Sequence, residues 1–404
     1  MIAMLRRRLG LGVIPRTVFV LGFVSMLMDI SSEMIHGLMP LYLTGVLGVS
    51  AALLGLIEGI AEATVAVAKA MSGALSDRIG RRRPLVVAGY SVAALTKPVF
   101  ALAPFVWPIM AARFIDRFAK GVRGAPRDAL ITDLTPGAHR GTAFGLRQSL
   151  DTIGAVVGPL LAIALMLASD ANFILVFAIA IVPAAASAML AFAGVADAPE
   201  TSDTAAPVKP PRATGTLAQR LRRLGGPFAA VVTVGVLITM ARMSEAFLIL
   251  RSQDAEVPLW LAPIVLVAMN VVYALSSLPS GRLGDRVGRL GVMAVGCAIL
   301  LLAELVLAVS ASPLALGAGI VLWGLHMGLT QGLLSAFVAA TAPADLRGTA
   351  FGAFHLACGV AVLVASTGAG LLWDAHGGGA TFLAGAAASI LALAALPLLR
   401  RIAP

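Results

Sequence analysis

Gly73 to Arg81 reads GALSDRIGR, and 208 residues further on Gly281 to Arg289 reads GRLGDRVGR. A second pair, PGAHRGTAFG from Pro136 to Gly145 and PADLRGTAFG from Pro343 to Gly352, stands 207 residues apart. Matches whose spacing drifts by one residue across half a chain describe a duplicated unit, so the fold has two like halves. A fainter echo pairs MDISSE (Met28 to Glu33) with MARMSE (Met240 to Glu245), 212 residues on.

The medium in which those halves fold follows from composition. Of the 404 residues, 59% are hydrophobic and 12% charged, about half the charge of a soluble domain. A membrane-crossing helix needs about twenty mostly apolar residues. About twelve such runs are present, the first starting near Arg16 and the last near Thr381. Barrel strands would be short and alternating, which these runs are not. The reading is an all-α membrane protein with about twelve transmembrane helices in two pseudo-symmetric six-helix bundles. Residues 1–195 form the first, 227–404 the second, and 196–226, rich in Pro, Thr, Asp, Lys and Arg, a flexible linker.

A formal charge of +10 could suggest nucleic acid, but the basic residues sit at alternate helix junctions. Arg6 to Arg8, Arg81 to Arg83, Arg220 to Arg223 and Arg400 to Arg401 fall on one side, and Arg251 is the exception on the other. The positive-inside rule then places both termini and the linker in the cytoplasm, for a multi-pass protein of the inner (plasma) membrane. The basic start leads into an apolar run with no small-residue cleavage site, as in an uncleaved signal-anchor. Cys297 and Cys358 both lie inside apolar spans and carry no redox inference.

The pattern Gly73-x-x-x-Asp77-Arg78-x-Gly80-Arg81-Arg82 resembles the signature loop between the second and third helices of the major facilitator superfamily. A degenerate copy stands at Gly281, Asp285, Arg286, Gly288 and Arg289, with Leu290 in place of the last basic residue. The resemblance covers the whole chain. It implies a transporter whose halves rock around a central substrate cavity, with this loop latching the cytoplasmic side and Arg81 pairing with Asp128. Gly154-x-x-x-Gly158-Pro159-x-x-Ala162 in the fifth helix resembles a motif of the superfamily's proton-coupled drug and small-molecule antiporters, with Ala for the final Gly. Small residues four apart let backbones approach, and Pro159 bends the helix. Arg117-x-x-Lys120-Gly121 is similar to the fourth-helix pattern, in which an arginine lines the cavity; Lys120 and Arg123 stand where the family often has Gln and Gly.

A charge at bilayer depth costs at least about 2.5 kcal/mol, so each one needs a partner, a cavity or a function. On the first helix Asp29, Glu33, His36 and Pro40 share one face. Asp29 lies about 18 Å into the span at 1.5 Å per residue. Asp29 and Glu33 are assigned to proton coupling, because a poorly hydrated carboxylate can take and give a proton as its access changes. His36, Arg113, Arg117, Gln148, Asp151, Arg242, Glu245, His326 and His355 are assigned to the substrate cavity. His355 occupies the repeat position of Gln148. Glu58, Glu62, Lys69, Lys97 and Asp116 are expected to form structural ion pairs between helices.

These features predict a secondary active transporter, without cofactor or structural metal, acting as a monomer in the lipid bilayer. Its partners are protons and a small-molecule substrate, anionic or zwitterionic to match Arg113, Arg117 and Arg242, moved outward by antiport. Import by the same cycle is one alternative. Transition-metal transport through Asp29, Glu33, His36, Met243, His326, Met327 and His355 is another. An enzyme is not expected, since no P-loop, Cys-x-x-Cys or Gly-x-Ser-x-Gly context is present.

Overall fold

The computed structural model describes residues 14–79, 81–103, 105–136, 140–197, 217–309, 312–343 and 346–400. Gly80 and most of the linker lie outside them. In chain order the helices are α1 (Arg16–His36), α2 (Met39–Leu41), α3 (Ala51–Ile79), α4 (Arg83–Leu102), α5 (Val106–Leu134), α6 (Arg140–Ala168) and α7 (Phe173–Gly194). They continue as α8 (Leu217–Ala241), α9 (Ala246–Asp254), α10 (Ile264–Val287), α11 (Arg289–Val309), α12 (Pro313–Thr341) and α13 (Arg347–Ala395).

Among the described residues, ten segments are long and apolar enough to cross a membrane. Two further features reconcile this number with the expected twelve. The segment Thr349–Leu399 is 51 residues long and turns at Gly377, whose φ of 80° is open to glycine, so α13 holds two helices joined at that kink. The helix α5 has the length to cross, with 29 residues, and is set apart by its charges. The chain is therefore a multi-pass membrane protein, all-helical among the described residues.

Contacts divide the chain into two compact units, one of Met1–Tyr42 with Thr64–Thr201, the other of Leu43–Ala63 with Ser202–Pro404. The first is built on α1 packed between α6 and α7 and on α4 packed between α5 and α7. The second is built on α8 against α13, and on α12 against α10 and α11. The start of α3 belongs to the second unit. There the Asp374 carboxylate accepts from the Ala51 and Ala52 amides at 2.9 and 2.8 Å, capping helix amides that have no partner within the helix. Packing beside that cap leaves no room for side chains: a Cβ at Gly370 would run into the Ala51 carbonyl oxygen, and one at Gly55 into that of Ser366.

The first helix of each repeat is interrupted. The helix α1 stops at His36, α2 starts at Met39, and a π-helical turn follows over Tyr42–Val46. In the second repeat, α8 stops at Ala241 and α9 starts at Ala246. The freed Ser244 amide is taken up by Ser366 Oγ at 3.1 Å, as backbone at membrane depth requires.

In the first unit, the Lys97 ammonium of α4 donates to Asp116 of α5 at 2.9 Å and to Ser32 of α1 at 3.1 Å, with both charged groups buried. This is a structural ion pair of the expected kind. Lys97→Met strands the Asp116 charge and is expected to cost about 3–5 kcal/mol, whereas Lys97→Met with Asp116→Leu recovers most of that loss. Thermal unfolding of the purified protein in detergent measures both.

Candidate functional site

In the first unit the glycines of α6 form a seat for the acidic face of α1. A Cβ at Gly154 would lie 2.7 Å from the Met26 carbonyl oxygen and 2.9 Å from Asp29 Cβ; at Gly158 the same distances fall to Ile30 O and Glu33 Cβ. The two glycines thus meet the two successive turns that bear Asp29 and Glu33. Real Cβ atoms do not approach so closely, so any side chain there would push the two carboxylates out of place. Asp29 stands in the combined field of Glu33, Asp151, Lys120 and Arg123. It is therefore flanked by acids and bases from α1, α5 and α6.

One turn beyond Glu33, His36 Nδ1 lies 2.8 Å from Arg113 Nη2. A guanidinium only donates, so Nδ1 accepts and the His36 ring is neutral in this arrangement. A proton arriving at Nδ1 would displace the arginine. Arg113 and Arg117 are buried one turn apart on α5, while Arg123 covers the Tyr90 ring at 4.7 Å. Further along, Arg127 donates to Ser25 Oγ at 2.7 Å and to Tyr90 Oη at 3.4 Å. Asp151 accepts from Arg147 of its own helix, and Gln148 is exposed.

The arginine-rich end differs from expectation in its pairing. Asp128, expected opposite Arg81, instead meets Arg127 at 3.2 Å and Arg147 at 3.5 Å. Arg82 makes the loop's pair, with Asp133 at 3.4 Å. The reason is depth: Asp133 lies at the loop's level, and Asp128 about 7.5 Å further into the helix at 1.5 Å per residue. The same end carries a clasp that the motif does not announce. Asp197 accepts from the Arg82 and Arg83 amides at 3.0 and 2.7 Å, and Arg83 donates to the Phe192 carbonyl at 3.0 Å. An acid caps the start of α4 and a base caps the end of α7, as helix dipoles favour. Gly73 packs against Ala125, a Cβ there lying 3.4 Å away, and Arg286 is exposed. The side chains of Asp77, Arg78, Gly281 and Asp285 lie outside the described residues, as does Gly80.

In the second unit Arg242 and Glu245 flank the interruption between α8 and α9, both partly buried. His355 is exposed and stacks on Phe351, with centroids 6.3 Å apart. Tyr273 of α10 donates to Gln331 of α12 at 3.1 Å. His326, expected in the cavity, is turned into the seam of α11 and α12. It is fully buried, with Nδ1 2.8 Å from the Gly296 carbonyl. The missing side chain of Gly296 lets Thr330 and Leu329 of α12 close against α11, and His326 meets the carbonyl in that seam, a pairing of distant residues that no local spacing announces. Among the described residues no three His, Cys, Asp or Glu come together as a metal-holding group.

Comparison with known proteins agrees with this architecture. The model for the Major Facilitator Superfamily matches residues 21–366 and 261–404. A relative from Methanocaldococcus jannaschii, described as an uncharacterized MFS-type transporter, is 30% identical over 366 residues, 89% of each chain. The gentisate transporter of Corynebacterium glutamicum is 27% identical over 396 residues, covering 94% of this chain and 86% of its own. The crystal structure of nucleoside transporter NupG is similar with a TM-score of 0.74 at 14% identity, over 96% of this chain and all of that one. At that identity the likeness concerns the fold alone.

The glycine seat gives a direct expectation. Gly154→Ala and Gly158→Ala each force two backbones apart and should cost about 1–3 kcal/mol. Gly145→Ala, on the same helix with open space around it, should be neutral or stabilising by up to about 1 kcal/mol. Thermal unfolding of the three variants checks the contrast.

Proposed function

Because the chain belongs to the major facilitator superfamily, we infer that it is a proton-coupled transporter of a small organic anion or zwitterion, exporting it by antiport from the cytoplasm. The observation that carries this reading is the seating of Asp29 and Glu33 on Gly154 and Gly158, in a unit whose neighbouring helix buries Arg113 and Arg117. A carboxylate pair held between packed backbones supplies a proton site, and the arginines supply an anion site one helix away.

The two sites interact through their charges. An anionic substrate drawn to Arg113 and Arg117 competes with the acids for the same cations, so arrival of a proton on Asp29 or Glu33 and departure of the anion alter one another's cost. His36 is the hinge of this competition, since it accepts from Arg113 only while neutral. Transporter function comes with the family. The choice of anion is supported by the cations of α5 and by the relative named for gentisate, an aromatic acid. The outward direction is supported by the likeness of Gly154, Gly158 and Pro159 to the antiporter motif. The same proposal places the chain in the inner membrane with both termini cytoplasmic, as a monomer. Metal transport is not favoured, because His326 is committed to the Gly296 carbonyl.

Proteoliposomes loaded with gentisate under an imposed proton gradient test the reading. The parent should drive gentisate against its gradient when protons flow the opposite way. Asp29→Asn and Glu33→Gln should lose that drive by about tenfold or more while keeping gentisate-for-gentisate exchange. Full gradient-driven flux in both variants would remove the coupling site, and co-directional flow of protons and gentisate would turn the antiporter into an importer.

A further inference from the structure

The repeat relates the Lys97–Asp116 pair to two residues of the second unit. Counted at the 207-residue spacing, Lys97 corresponds to Glu304 and Asp116 to Trp323. Packing supports that correspondence independently. The helices α11 and α12 run antiparallel: Gly319 packs on Leu307, and Gly296 on Thr330 and Leu329. Between those two contacts, the level of Glu304 falls at positions 321 to 322 of α12, next to Trp323. Where the first unit sets a cation against an acid, the second sets an acid against an indole.

Glu304 is fully buried, and neither carboxyl oxygen has a hydrogen-bond partner. Its carboxyl lies against the helix that follows Gly377, where a Cβ at Gly385 would be 2.5 Å from Oε2. The Trp323 Nε1 and Ser389 Oγ atoms are likewise buried and without partners. Ser389 is one turn along from Gly385. This region therefore holds two donors and an acid in an apolar seam with no counter-ion.

The charged and titratable groups of the surrounding helices are engaged elsewhere or stand at other levels. Arg251 is committed to the Leu307 carbonyl at 3.0 Å, the Ala308 carbonyl at 3.5 Å and Asp254 at 2.8 Å. His326 is bound to Gly296, two turns from Glu304. Asp374 caps Ala51 and Ala52. On α11 itself the others are Arg289 and Cys297, near its start. The helix α10 brings Tyr273, held by Gln331, and Arg282, Asp285 and Arg286 at its last turns. The α13 segment brings Arg347, His355, Cys358 and His376, none within the helix that follows Gly377, and Arg400 lies beyond its end.

We propose that Glu304 is a resident proton site of the second unit, its carboxyl kept as the neutral acid in the seam of α11, α12 and the helix after Gly377. A bare carboxylate in that apolar seam would lack any counter-charge, whereas the neutral acid buries no net charge. The proton does in this unit what the Lys97 ammonium does in the first: it removes a buried charge. Folding then takes up one proton above the ordinary glutamate range of about 4.3. Below that range the proton is bound in both folded and unfolded chains. Above it, each pH unit weakens folding about tenfold until the folded group itself ionises.

The test compares the parent with Glu304→Gln and Glu304→Leu, both neutral at every pH. Infrared spectra at neutral pH should contain a protonated-carboxyl carbonyl band in the parent that both variants lack. In thermal unfolding from about pH 5 to about pH 9, the stability of the variants relative to the parent should rise with pH, about tenfold per unit in folding equilibrium. Parallel pH profiles, or no difference in the acid band, would overturn the proposal. Sodium raising the melting temperature of the parent alone, with no acid band, would replace the proton by a metal cation. Failure of both neutral variants to fold would show that the charge itself is needed, and would overturn it equally.

Discussion

A charged side chain away from water must find an opposite charge, a wall of hydrogen-bonding groups or a proton. The chain uses the first two openly. Lys97 and Asp116 neutralise one another in the core of the first unit. Arg251 satisfies itself on the last carbonyls of α11, and Asp197 and Asp374 on the first amides of α4 and α3. These contacts pin helix ends and helix middles in place. The acids left over from that accounting, Asp29 and Glu33 above all, are the ones available for work.

How those acids are held depends on what is missing beside them. Gly154 and Gly158 let α6 touch α1 backbone to backbone, so the carboxylates are positioned by shape and need no dedicated hydrogen-bond partner. A group held in this way can change its charge without dismantling its own support. The neutral His36 ring against Arg113 is the complementary case, in which a change of charge breaks the contact. The interruptions after His36 and after Ala241 fall in the first helix of each repeat, and interrupted helices in matching places are where transporters of this architecture gather their polar groups.

Much of this was legible from residue order alone. The apolar runs gave the helices, and the spacing of Asp29, Glu33 and His36 gave a common face, because period and length act locally. The spacing of Gly154 and Gly158 predicted a close approach but not its partner, which is a matter of which helix lies opposite. His326 was misplaced for the same reason: a histidine among apolar residues reads alike whether it faces a cavity or a glycine on the next helix. The Arg81–Asp128 pair failed on depth, since a motif fixes residue types and not how far into the membrane each helix carries them. The interruption at Arg242 to Glu245 had a faint signal in two charges three residues apart within an apolar run. For Arg251 only the nearby Asp254 could be read in advance, because its other partners are main-chain carbonyls, which every sequence possesses.

Arg251 also bears on how such a chain is assembled. In the proposed orientation it is the arginine on the far side of the membrane, so its charge must be carried through hydrocarbon at a cost of about 2.5–3.5 kcal/mol at mid-depth. The carbonyls that receive it belong to α11, which ends only at Val309. During synthesis Arg251 therefore arrives before its acceptors exist, with Asp254 as its only early companion. The second half cannot enter the bilayer as a series of independently satisfied helices; its first membrane crossing is completed by its third.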